Sequence, residues 1–145
     1  MPQLTLAIGL HGPLLDILVG VSRPRADVLT ANNHPVPQPV VVQGLIDTGA
    51  SCTCIDPGIL QSLSLSPTGT TSTLTPSTGA TPHITNQYDV SILLVHPQST
   101  FAFHSVPIVE SHLAAQGIQA LIGRDILQQC VLIYNGVMNF YTLNF

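Results

Sequence analysis

The 145-residue sequence predicts a mostly-β single domain with two or three short helices. Three observations lead there. The apolar runs are short, rich in Val, Ile and Leu, and partly alternating, which is the pattern of half-buried strands. Pro, Gly, Asn and Ser punctuate the intervals between them. The clear helix-start signals, such as Asp56-Pro57-Gly58, each precede only a short apolar stretch.

In chain order, Leu4 to Leu10 and Leu14 to Val21 read as strands joined in a hairpin across His11-Gly12-Pro13. Residues 23–39, rich in Pro and Asn, read as a surface loop with a short strand near Asp27 to Thr30. Val40-Val41-Val42 continues through Gly44 into Leu45-Ile46-Asp47, a strand ending at a turn. Asp56 caps a short helix with Pro57 at its first position, running through Ser62. Residues 64–82 are almost wholly Ser, Thr, Gly, Pro and Leu, a linker-like composition. Strand-like flanks at Thr70 to Leu74 and His83 to Val95 point instead to a long hairpin with its tip near Ser77-Thr78-Gly79. Thr100 to Val109 is a further strand, and Ser111 is placed to cap a short helix that Gly117 ends. Ala120-Leu121-Ile122 reads as a buried strand and Arg124 to Gln129 as a short helix. Cys130 to Tyr134 and Val137 to Leu143 form a hairpin across Asn135-Gly136.

Composition narrows the function. Only 7% of residues are charged, there is no Lys, and the strong cations are Arg23, Arg25 and Arg124. With a formal charge of −4 the chain has little with which to neutralise phosphates, so nucleic acid is not expected as a partner. Apolar stretches are interrupted before they reach membrane-spanning length, so no membrane partner is expected either. The N-terminal stretch has no basic region and reads as strands rather than a signal peptide. Three cysteines, an odd number, argue against a disulfide framework, and a cytoplasmic location is the expectation.

Among seven carboxylates, Asp47 stands out, because it ends an apolar strand. A charge there costs several kcal/mol, on the order of 3–5, unless it is hydrogen-bonded or paired. In Asp47-Thr48-Gly49, the glycine permits a tight turn and following amides can point back at the carboxylate. The plain alternative is an ordinary turn Asp at a strand end. Cys52-x-Cys54 and the six His lack metal-ligand spacing, so no metal or other cofactor is expected and the cysteines read as small buried hydrophobes. No Gly-x-Ser-x-Gly and no phosphate-binding glycine loop occurs.

Leu45-Ile46-Asp47-Thr48-Gly49-Ala50-Ser51 resembles the active-site segment of retropepsin-like aspartic peptidases, the family of retroviral proteases and their cellular relatives. Ala120-Leu121-Ile122-Gly123-Arg124-Asp125-Ile126-Leu127 resembles the family's second signature, 76 residues on from Asp47 to Gly123. Gln87-Tyr88-Asp89-Val90 looks like the start of the strand leaving the flap. The resemblance covers about residues 38–143, with residues 1–37 as preceding strands and loop of one domain spanning 1–145.

The resemblance implies a single-lobe acid-protease fold: a closed β-barrel-like domain with a flap hairpin and short helices, acting as a dimer. It implies Asp47 as the catalytic carboxylate, Thr48, Gly49 and Ala50 as its loop, and Leu121-Ile122-Gly123 as the strand threaded beneath it. Thr48 would lock the two active-site loops together across the dimer axis. Arg124 would be structural, although the acidic partner usual in retroviral relatives is replaced here by Ser51 and Cys52. Asp125, Asp56 or a backbone carbonyl is left to pair with it. Leu74, Thr75, Ser77, Thr78, Gly79 and Ile84 fall in the flap, with Gly79 allowing its unusual turn.

An aspartic peptidase needs two carboxyl groups, and this chain holds one Asp-Thr-Gly; the nearest echo, Ser77-Thr78-Gly79-Ala80, has no acid. A homodimer acting on polypeptide substrates is therefore expected. In retroviral relatives both termini interleave in a sheet, and Met1 to Leu10 with Val137 to Phe145 are the matching segments. The expected activity is aspartic endopeptidase; the alternative is a catalytically silent relative that binds peptides or assembles.

Overall fold

The computed structural model describes residues 1–76 and 78–145. Its core is a ring of six strands: β2 (Leu14–Val21), β3 (Val40–Ile46), β4 (Cys54–Ile55), β6 (His83–His96), β7 (Ser99–Glu110) and β8 (Ala120–Ile122). Neighbours run β2-β3-β8-β4-β7-β6, and β6 pairs back with β2 from Leu18↔Leu93 to Val21↔Val90, which closes the barrel. Closure removes the open edges that a flat sheet would leave.

Alternation explains the ring. Along β6, Tyr88, Val90, Ile92 and Leu94 are buried while the intervening residues are not; along β2, Leu15, Ile17 and Val19 are buried. They meet Val42, Ile55, Ile108, Ala120 and Ile122 in one core. Each such side chain contributes roughly 1.5–3 kcal/mol by leaving water. A register shift between Val90 and Ile92 bends β6 where it passes from one part of the ring to the next. β5 (Gly69–Thr73) pairs along the outer end of β6, Gly69↔Gln87 to Thr73↔His83, and makes the expected long hairpin.

The second sheet has three strands in the order β1-β10-β9: β1 (Gln3–Ala7), β10 (Phe140–Asn144) and β9 (Val131–Asn135). Its inner face buries Tyr141 and Leu143 against the barrel, and the Tyr141 hydroxyl donates to the Leu14 carbonyl.

Several local expectations are corrected. β1 and β2 do not form a hairpin: Gly9 and Gly12 bridge each other in a tight turn, but β1 pairs with β10 and β2 with β3 and β6. The two terminal segments therefore pair within one chain. The expected loop and short strand in residues 23–39 begin instead as a helix, α1 (Arg23–Ala31). Ser22 caps it by accepting from the Arg25 amide, and Pro24 sits in the first turn, where its missing donor costs nothing.

α2 (Pro57–Ser62) is capped by Asp56 as expected. The helical turn at Ala114–Gln116 is a 3-10 helix not capped by Ser111: the amides of Leu113 and Ala114 donate to Asp56 Oδ2, each at 2.9 Å. Gly117, at φ 78°, ends it as expected. The β9–β10 connection is residues 136–139, with Asn139 at φ 58°, rather than a two-residue Asn-Gly turn. No helix among the described residues is long and apolar enough to cross a membrane.

Candidate active site

Asp47 follows the last residue of β3, which runs parallel to β8 with Leu45↔Leu121 and Ile46↔Ile122 in register. The Asp47 amide continues that ladder by donating to the Ile122 carbonyl at 3.0 Å. The turn then closes on itself: the Ala50 amide donates to the Asp47 carbonyl at 3.2 Å, and the Gly49 amide donates to Asp47 Oδ1 at 2.8 Å. A Cβ on Gly49 would stand 3.1 Å from that carboxylate oxygen, so glycine lets the amide aim at the acid. Asp47 is half-buried, and Thr48 and Gly49 are exposed.

A second turn, from α3 (Arg124–Leu127), braces the first. The Arg124 amide donates to the Ala50 carbonyl at 3.0 Å. Its guanidinium donates to the Thr48 carbonyl at 3.0 Å and the Gly49 carbonyl at 3.4 Å. Of the three partners open for Arg124 in the sequence, backbone carbonyls are the ones it takes. Gly123 is required by close approach: an added Cβ would lie 2.5 Å from the Cys52 carbonyl carbon.

Behind this contact lies a bracket that the sequence reading missed. Thr53 is fully buried, and its hydroxyl donates to Asp125 Oδ1 at 2.8 Å while accepting from the Gly123 amide at 3.1 Å. The Thr53 amide donates to Asp125 Oδ2 at 2.9 Å, and the Ile126 amide to Oδ1 at 2.9 Å. Asp125 thus ties the strand after the Asp47 turn to the start of α3. The local signals were a polar Thr53 between two apolar cysteines and, separately, an acid in the first turn of a helix.

The cysteines are half-buried free thiols rather than fully buried hydrophobes. The Cys54 thiol donates to the Cys52 carbonyl at 3.9 Å; interaction between the neighbouring thiols draws Cys52 down to about 7 and pushes Cys54 up, with burial adding to the rise at Cys54. No cluster of three metal-ligating side chains occurs among the described residues. The two best-formed cavities, about 440 and 350 Å³, are lined by other residues than Asp47.

The residues expected in a flap lie on the β5–β6 hairpin and its connection. Leu74 and Ile84 are 66% and 71% exposed. The Thr78 and Gly79 amides donate to the Thr75 carbonyl at 3.0 and 3.1 Å, and Gly79 adopts φ 59°. Ser77 lies outside the described residues.

No curated protein matches the chain. Among solved structures, a retropepsin-like aspartic protease from Rickettsia conorii superposes with a TM-score of 0.61 at 18% identity, covering 99% of this chain and 90% of that one. The retroviral protease-like domain of Ddi1 from Leishmania major is matched at 11% identity over 86% of this chain and 82% of that one, with a TM-score of 0.39. The first likeness gives the fold: a mostly-β, single-lobe retropepsin-like domain. The retroviral aspartyl protease profile matches residues 11–133, most of the sequence, and the chain belongs to that family.

Proposed function

We propose that the protein is an aspartic endopeptidase in which Asp47 and its counterpart in a second copy of the chain activate a water for peptide-bond hydrolysis. One observation carries the reading. Asp125 accepts three hydrogen bonds and Asp56 accepts three, whereas the Asp47 carboxylate accepts one, from Gly49, and is half-exposed. Asp47 is the acid near the braced turns with lone pairs left for chemistry.

Two such carboxyls about 3 Å apart cannot both ionise, so they share a proton, the behaviour known for aspartic proteases as a class. The ionised member takes a proton from water as it attacks the amide carbonyl. The protonated member donates to the carbonyl oxygen, and proton transfer to the amine completes the cleavage. Arg124 acts as a positioning residue that holds the Asp47 turn through its backbone, and Gly123 lets the segment just after that turn pack closely. The exposed Leu74 and Ile84 of the hairpin supply apolar contacts to an extended polypeptide. Free thiols fit a reducing compartment such as the cytoplasm.

The test is cleavage of a diverse peptide mixture between about pH 3 and 7, with Asp47→Asn as control. Acid-favoured cleavage by the native chain and none by the variant is the expected result. Folded, dimeric protein that cleaves nothing would favour the peptide-binding alternative.

A further inference from the structure

We propose that the open edge of β9 is where the second copy docks, so that the small sheet continues as six strands, β1-β10-β9 against β9-β10-β1 of the other chain, about a two-fold axis near Ile133. The proposal rests on the dyad reading, which needs a second chain but leaves its docking surface open.

Four observations choose this edge. First, the termini are not free to interleave: β1 already pairs with β10 from Gln3↔Asn144 to Ala7↔Phe140. Second, β10 lies in the middle of the sheet, so only β1 and β9 present unpaired backbone groups. Third, β9 and the turn after it are apolar and exposed: Val131 is 50% exposed, Ile133 55%, Tyr134 58%, Val137 98% and Met138 69%. From Ile126 to Phe145 the sequence has no charged residue, and β9 has neither the Lys nor the Pro that usually blunts an edge. The β1 edge, by contrast, starts after Pro2 and offers Gln3 and Thr5. Fourth, β9 begins four residues after Leu127, the end of the helix whose Arg124 holds the Asp47 turn. The four residues from Leu127 to Val131 span at most about 14 Å, which keeps β9 within short reach of that helix.

Pairing of β9 with its own copy is antiparallel and isologous, so a residue at the axis faces itself. Like charges directly opposite are destabilising, and opposite charges there attract. The experiment is sedimentation velocity of the native chain, Ile133→Lys, Ile133→Glu and a mixture of the two variants, with Gln3→Lys as the control on the β1 edge. The native chain and Gln3→Lys should dimerise alike. Each Ile133 variant alone should dimerise at least about tenfold more weakly, and the equimolar mixture should recover the dimer. Recovery also shows that the variants fold. Ile133 variants that dimerise like the native chain, or a mixture that stays monomeric, would overturn this surface while leaving the dyad standing. A native chain that is monomeric at all concentrations would instead remove the dyad reading and the surface with it.

Discussion

The face of the Asp47 turn and the bracket behind it use the same residue type to opposite ends. Asp125, in the bracket, spends its carboxylate on the Thr53 amide, the Thr53 hydroxyl and the Ile126 amide. Asp47, on the face, accepts one amide hydrogen bond. A saturated carboxylate is fixed in place and gains little by binding anything else. An undersaturated one at the end of a buried strand is available to a water or a second acid. Asp56 belongs with Asp125: its three backbone amides and nearby His112 outweigh burial and hold its pKa below 3.8.

Substitutions can break or sharpen this contrast. The largest effect is on catalysis. Asp47→Asn should reduce cleavage by ~10³-fold or more with an unchanged Tm, measured by steady-state kinetics and calorimetry. A Tm drop comparable to that of Asp125 variants would erase the distinction. Next, Asp125→Ala leaves two buried donors of Thr53 unpaired and should cost about 3 kcal/mol, a Tm fall of about 9 °C in a thermal melt. Gly123→Ala drives a methyl into the Cys52 backbone and should cost roughly 2–3 kcal/mol. It should also lower cleavage in protein that is still folded, because the displaced segment carries the Asp47 turn.

The smallest effect is at Asp56. Asp56→Ala removes the cap of α2 and the acceptor for Leu113 and Ala114, at a cost of about 1 kcal/mol. Its pH dependence has a definite sign. A depressed folded pKa stabilises fully above the unfolded value and is lost as pH falls through the folded one. The stability gap between native and Asp56→Ala should therefore be constant near neutrality and shrink below the ordinary value of 3.8, as followed by denaturant melts across pH.

The Asp47 face was more legible in the sequence than the bracket. Asp47 announces itself as a charge ending an apolar strand, and Gly123 follows two apolar residues of a strand. Those signals are local. Thr53 with Asp125 is a partnership across 72 residues, and nothing in either neighbourhood names the other. The same limit explains the fold-level misses. Strand patterning located β1 and β2 but favoured pairing neighbours, whereas β1 finds its partner at the far end of the chain. In α1, the Pro- and Asn-rich composition of residues 23–39 outweighed the Ser22 cap and Pro24, although both are start signals. The Asp56 cap of α2 was readable, but its second oxygen, committed to Leu113 and Ala114, was not.

The central claim, one catalytic carboxylate from each of two chains, is tested most directly by mixing native protein with Asp47→Asn at constant total chain and letting the subunits exchange. If every active molecule needs two native chains, an equal mixture retains about a quarter of the activity of undiluted native protein, falling as the square of the native fraction. Retention of about half, linear in the native fraction, would mean that each chain works alone and would contradict the dyad.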